Sequence, residues 1–262
     1  DAERGAIKRI CKGFQAWMPK PEEGRIFCVE KTLLVIKCVH EMQEVRVMKR
    51  IATFDSEEEG SDGTHKEVFL DQLEISPMES TALFEFLSYI KNLRKLEITS
   101  CRANYFAFRE LAKLLLCDND ITTLVLRKVG MADQDAKHII DALRSENCKV
   151  TKLDMGTNML TDESVRCLSD VLTTSNYKLA ELDISQNELT DQSARFLSNA
   201  LRDKECKLTE LNIKHNKLTQ KGHGYLRDAQ KDANGKRKLK IVLTAPTGDD
   251  LETFNFSQST CC

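Results

Sequence analysis

The sequence predicts an α/β solenoid: a horseshoe with parallel strands on its inner face, helices on its outer face, and an N-terminal helical cap or subdomain. Three observations carry this expectation. A short pattern with apolar residues at its first, fourth and sixth positions returns every 29 residues. A polar turn residue follows it at a constant offset, and an apolar stripe at helical spacing fills the rest of each interval. The first 54 residues keep a helical rhythm without the repeat.

In that first segment, Ile7, Ile10, Cys11, Phe14 and Trp17 form an apolar face at helical spacing, which Pro19 and Pro21 bring to an end. A second helical stretch is expected over Val29–Met42, continuing through Glu44–Phe54. Residues 55–69 read as a linker, because the run Asp55-Ser-Glu-Glu-Glu-Gly-Ser-Asp-Gly63 is too acidic to be anything but solvated.

Four segments then align without forcing: Ile121 to Leu126, Val150 to Met155, Leu179 to Ile184 and Leu208 to Ile213. The inward residues Leu124 and Leu126, Leu153 and Met155, Leu182 and Ile184, and Leu211 and Ile213 recur with them. Eight residues into each unit stand Val129, Asn158, Asn187 and Asn216, and Leu160, Leu189 and Leu218 follow two residues later. Apolar residues with this spacing face inward around a short strand, and such strands stack about 4.8 Å apart. The Asn amide can satisfy backbone groups of neighbouring turns that would otherwise be buried unpaired. In the unit from Leu93 to Ile98 that place belongs to Cys101, read as a structural stand-in.

The second half of each unit is a predicted helix. Its stripe is Ala136, Ile139, Ile140 and Leu143, then Val165, Leu168, Ser169 and Leu172, then Ala194, Leu197, Ser198 and Leu201. Asp133, Asp162 and Asp191 stand where N-caps are expected. Cys148 and Cys206 fall at equivalent helix ends and read as packing, and Cys117 as a buried terminus. Upstream, Leu70, Leu73 and Ile75 form the first predicted strand, with a unit of only 23 residues and a helix near Thr81–Lys91. Downstream, Leu239 and Ile241 mark the last strand. The helix before it carries His223, Arg227 and Gln230 at stripe positions, unless Tyr225, Leu226 and Ala229 supply a shifted stripe. The repeats are therefore expected over 70–243 with seven strands, followed by a loose tail over 244–262. The tail's terminal Cys261 and Cys262 do not form a C-a-a-X box, since Ser259 holds the position a prenylated cysteine would need.

This pattern, L-x-x-L-x-L-x-x-N-x-L, resembles leucine-rich repeats of the ribonuclease-inhibitor type. The stretch Leu33-Leu-Val-Ile-Lys-Cys38-Val-His40-Glu-Met-Gln43 resembles the segment that precedes such repeats in NOD-like receptors. That resemblance implies that residues 1–54 end a helical domain following a nucleotide-binding NACHT module in cis. It implies a cytoplasmic sensing and autoinhibitory module of innate immunity. The chain has no G-x-x-x-x-G-K-[ST] loop, so no nucleotide chemistry falls to its own residues. A plain helical cap over the first repeat is the alternative reading of residues 1–54. Two other readings stay open: a free-standing inhibitor like ribonuclease inhibitor, and a GTPase-activating repeat protein like the Ran regulator.

Composition bounds the function. A chain 41% hydrophobic and 31% charged can bury a core, while a formal net charge of −2 argues against a dedicated nucleic-acid binder. The basic stretch Lys231, Lys236, Arg237, Lys238 and Lys240 is the sole candidate for phosphate contact, and it reads as the charged cover of a capping turn. No apolar run has the ~18 residues of a membrane span, and no secretory leader is evident at the polar start. A first residue other than Met suggests a piece of something longer. Ten cysteines without C-x-x-C pairs suggest reduced thiols in the cytosol rather than disulfides or zinc.

Function is expected on the strands' concave face, as binding and not catalysis, with no cofactor and no metal. Residues at the third, fifth and seventh places of each unit point to solvent there. Asp154, Asp183, Glu181 and Glu210 cluster, Arg127 precedes them, and Lys152, Asn212 and Lys214 complete the candidate site. A protein or peptide ligand of basic character is the expected partner. Asp154 and Asp183 lie close enough to suggest an acid pair, but repetition alone explains their proximity.

Overall fold

A strand three to seven residues long cannot bury its inward side chains alone, so each unit depends on its neighbours for a core. The computed structural model describes residues 2–20, 22–52, 65–235 and 238–244. Among them eight strands form one sheet in chain order, every neighbouring pair parallel. They are β1 (Arg25–Cys28), β2 (Lys66–Asp71), β3 (Leu93–Thr99), β4 (Thr123–Arg127), β5 (Lys152–Asp154), β6 (Glu181–Asp183), β7 (Glu210–Asn212) and β8 (Lys240–Val242). Helices α4 (Pro77–Ser88), α5 (Tyr105–Leu116), α6 (Asp133–Ala142), α7 (Asp162–Leu172), α8 (Asp191–Arg202) and α9 (Gln220–Asn234) alternate with β2–β8. Helices α1 (Ala2–Gln15), α2 (Glu30–Glu41) and α3 (Val45–Ala52) precede them. The acidic run 55–63, Lys236, Arg237 and the tail from 245 lie outside the described residues.

The predicted stripes are buried in full, from Ala136 through Leu201, and Cys148 and Cys206 are buried beside them. The third member of that row is Tyr177, fully buried, whose hydroxyl accepts the Lys207 N–H at 2.5 Å. In α9 both stripes contribute: His223, Leu226, Ala229 and Ala233 are buried, Tyr225 and Gln230 are half-buried, and Arg227 faces solvent.

Five expectations need correction. The first unit is out of register by five residues, because Val68 stands opposite Leu96 and Leu70 opposite Ile98. Leu73 instead takes the ladder place, its N–H donating to Cys101 Sγ at 3.4 Å. The error has a plain cause: the strand's apolar residues and those of the turn leaving it share the same spacing, so the motif fits both. The sheet also has one strand more than the seven expected, since Arg25-Ile-Phe-Cys28 is too short to show a repeat and pairs with β2. At the far end Ile241, not Leu239, pairs with Leu211, so the register of β8 is displaced by two residues and Leu239 is buried just ahead of the strand. Cys117 is exposed.

The acidic helix starts are not N-caps either. Thr161, Thr190 and Thr219 cap α7, α8 and α9, each accepting from an N–H two residues on. The aspartates begin each helix and reach sideways into the next unit. Asp133 accepts from Thr161 N and Oγ1 at 2.9 and 2.6 Å and from Ser164 Oγ at 2.5 Å. Asp162 accepts from Thr190 N and Oγ1 at 2.9 and 2.6 Å and from the Ser193 hydroxyl. Asp191 repeats the contact with Thr219 at 2.8 and 2.6 Å.

On the inner side the Asn ladder does the matching work. Asn158 donates to Leu126 O at 2.7 Å and accepts from Val129 and Met131 N–H at 3.1 and 3.2 Å. Asn187 donates to Met155 O at 3.1 Å and accepts from Leu160 N–H at 3.0 Å. Just before the ladder residue, Gln72, Ser100, Lys128, Thr157, Gln186 and His215 all take left-handed backbone, with φ between 52° and 58°. This conformation costs a non-glycine residue energy, and its recurrence at one place per unit marks the sharp exit from each strand.

Candidate functional site

Strand alternation and register decide which side chains share the concave face. Asp154 and Asp183 are paired residues of β5 and β6, and Asn212 follows on β7. Lys152, Glu181 and Glu210 form the parallel row, which Lys240 of β8 extends. These residues line an open groove of about 380 Å³ together with Thr123, Val125 and Val242. Six of the eight predicted site residues thus line one groove, and Arg127 is bonded to its floor. Lys214 lies beyond the lining.

Arg127 organises the site. Its Nη1 lies 3.0 Å from Asp154 Oδ2 and 3.5 Å from Asp183 Oδ2. Its Nη2 donates to Thr157 Oγ1 at 3.2 Å and Gln186 Oε1 at 3.3 Å, and Thr157 Oγ1 donates to Gln186 at 2.8 Å. Asn212 Nδ2 donates to Asp183 Oδ2 at 2.6 Å, and Ser185 Oγ to Asp183 Oδ1 at 2.6 Å. Gly156 makes room for the guanidinium: a Cβ there would come within 2.8 Å of Arg127 Nη1.

The electrostatics are lopsided. Burial opposes the Arg127 charge, but its bonds to Asp154 and the attraction of both carboxylates outweigh that and raise its pKa. Asp154 goes the other way from the usual salt-bridged acid. Burial, reinforced by the like charge of Asp183, outweighs the Gly156 N–H and the guanidinium, so its pKa is raised. One arginine serves two acids, and it does not offset the burial of Asp154. The outer carboxylates have their own partners, Lys152 Nζ to Glu181 and Lys240 Nζ to Glu210, each at 2.8 Å.

Sequence reasoning missed Thr157, Gln186 and Lys240. Strand alternation does not reach the left-handed position that swings Thr157 and Gln186 over the sheet. Lys240 reads in the sequence as part of the basic stretch rather than as a residue of this face. The opposite end of the face is aromatic: Phe27 and Phe69 stack at 5.0 Å, with Lys95 Nζ 4.9 Å from the Phe69 ring. Of the predicted basic stretch, Lys231 pairs with Asp228 and Lys240 with Glu210. Among the described residues no group of three or more His, Cys, Asp or Glu could hold a metal ion, and no helix is long and apolar enough to cross a membrane. Cys28 is buried and its pKa is pushed up to about 12.

A family model described as Leucine Rich repeat matches residues 146–169 and 204–222. Comparison with curated protein sequences finds no match. Among solved structures, the chain is similar to the actin-binding site 2 of leiomodin-1, at 17% identity and a TM-score of 0.46 over 55% of this chain and 81% of that one. It is also similar to an internalin from Listeria monocytogenes, at 11% identity and a TM-score of 0.24 over 76% of this chain and 70% of that one. The eight parallel strands, the alternating helices and the matched repeats together make this chain an α/β leucine-rich-repeat solenoid, a protein-interaction repeat module.

Proposed function

We propose that the chain is the ligand-sensing region of a cytosolic NOD-like receptor, and that its concave face holds a protein or peptide of basic character. In this reading the repeats restrain a NACHT module in cis until the partner occupies that face. The observation that carries the partner's charge is the Asp154–Asp183 pair. Two carboxylates share one guanidinium, which leaves the floor of the groove short of one positive charge. A partner's Lys or Arg supplies it. The Lys152 and Lys240 side chains are 54% and 65% exposed, so their pairs with Glu181 and Glu210 are weak and exchangeable.

The receptor reading has separate support. Ile10, Trp17 and Leu34 are 37%, 54% and 54% exposed around an apolar groove of about 360 Å³ on α1 and α2. Apolar side chains left open in this segment suit a domain packed against it. One observation favours the free-standing, inhibitor-like reading instead. The outer edge of β1 is blunted, because Arg25 N and O bond Glu22 and the Val29 carbonyl begins α2. Such closure is what a cap requires.

The test is anisotropy titration of the full chain with a fluorescein-labelled dodecapeptide of mixed Lys, Arg and Ser at low and physiological salt. Asp154→Asn with Asp183→Asn is expected to weaken binding about tenfold and flatten its salt dependence. Unchanged affinity and salt response in that variant would remove the basic partner from consideration.

A further inference from the structure

We propose that the convex groove between α8 and α9 is a second docking surface, which takes an acidic polypeptide segment of a partner protein bearing an aromatic or large apolar side chain. A cation recurs at one place on three helices: Lys137, Arg166 and Arg195. In α6, Lys137 is bound by Asp141, four residues on, at 2.7 Å. In α7, Arg166 is bound by Glu163, three residues back, at 2.5 Å. At those two places α8 carries neutral amides, Asn199 and Gln192. Arg195 consequently has no ion pair among the described residues.

The next row changes sign along the solenoid. Where α7 has Glu163 and α8 has Gln192, α9 has Lys221, exposed and likewise without an ion pair among the described residues. Arg195 and Lys221 line a groove of about 540 Å³ together with Phe196 and Tyr225, both half-buried, and the amides Gln192 and Asn199. The sole carboxylate of that lining is Asp191, already engaged by Thr219 and by Gly222 N–H at 3.1 Å. Two unspent cations beside an aromatic wall are the complement of an acidic segment with one apolar anchor. The charges select and steer it, and the rings supply the buried contact.

The surroundings favour polypeptide over nucleic acid. A phosphate backbone needs a continued basic track, whereas the cations of the neighbouring turns are already matched by acids, Arg166 by Glu163 on α7 and Lys231 by Asp228 on α9. A short acidic segment fits between those turns. The site differs from the concave groove in face, in charge and in residues, so the two stand or fall separately.

A phage-displayed library of random dodecapeptides selected on the full chain, and in parallel on Arg195→Glu with Lys221→Glu, tests this. Both positions are exposed, and an unchanged thermal melt verifies the variant's fold. Expected is enrichment, on the unmodified chain alone, of peptides with two or more carboxylates near an aromatic residue. Resynthesised as fluorescein conjugates, they should bind the variant at least about tenfold more weakly, and Asp154→Asn with Asp183→Asn as before. No carboxylate enrichment, or equal binding to the charge-reversed variant, overturns the proposal. So does a single-stranded RNA dodecamer that binds more tightly than the selected peptides and is lost in the same variant.

Discussion

Asn187 shows how much one side chain can do in a repeat protein. It is 6% exposed and serves backbone groups of two units, donating to Met155, Ile184 and Ser185 carbonyls and accepting from Leu160 N–H. Replacing it by Ala leaves those groups buried and unpaired, at about 1–3 kcal/mol for each that finds no substitute. Asn187→Ala is therefore expected to cost about 2–4 kcal/mol in a urea titration. Tyr177→Phe, which removes one hydroxyl contact from an equally buried residue, should cost about 1 kcal/mol. Equal losses would mean that the ladder adds nothing beyond filling space. The ladder was legible before any coordinates because Asn recurs at a place where an apolar residue would pack as well. Tyr177 was not, since its row alternates Cys, Tyr and Cys, side chains alike in neither size nor chemistry.

At the level of the element, the helix starts are tied sideways by Asp133 and Asp162. Burial alone would raise their pKa values. The bonds from Ser164 and Thr161 to Asp133, and from Ser193 and Thr190 to Asp162, outweigh it and lower both below the ordinary value of 3.8. A carboxylate depressed by folding contributes stability that is present above its unfolded pKa and lost as pH falls through the folded one. Asp133→Asn with Asp162→Asn should thus lower the urea midpoint at pH 7, and the deficit should shrink as pH drops below 3.8. A deficit constant from pH 7 to pH 3 would assign the effect to packing. Asp154 has the opposite sign, since its raised pKa makes the folded state relatively better off when it is protonated. These ties were invisible in the sequence, where Asp before a helix reads as a cap. Periodicity reports which residues share a place in the unit, not whether a side chain turns inward or reaches to the next unit. The same limit hid β1 and displaced β2, while the interior units, with three apolar anchors each, were fixed correctly.

For the whole molecule, the two ends are unlike. The last helix and strand turn polar groups outward, whereas the first helices leave Ile10, Trp17 and Leu34 in contact with solvent. Trp17 is the one tryptophan of the chain and is 54% exposed, so its emission reports that end by itself. It should be red-shifted and readily quenched by acrylamide in this chain. If the α1–α2 groove seats a neighbouring domain, the emission shifts blue and quenching drops in a longer polypeptide containing that domain. No change would count against a seat there. The regular left-handed exits carry a different implication, about how such a molecule can change over time. Cutting out residues 150–178 would bring Asp133 to Thr190 and Ser193, the same side chains it now meets as Thr161 and Ser164. Asn187 would find the Leu126 carbonyl that Asn158 now serves. These severed bonds have ready equivalents, so the natural unit of gain and loss here is the 29-residue block, although Lys207 would exchange the Tyr177 hydroxyl for Cys148.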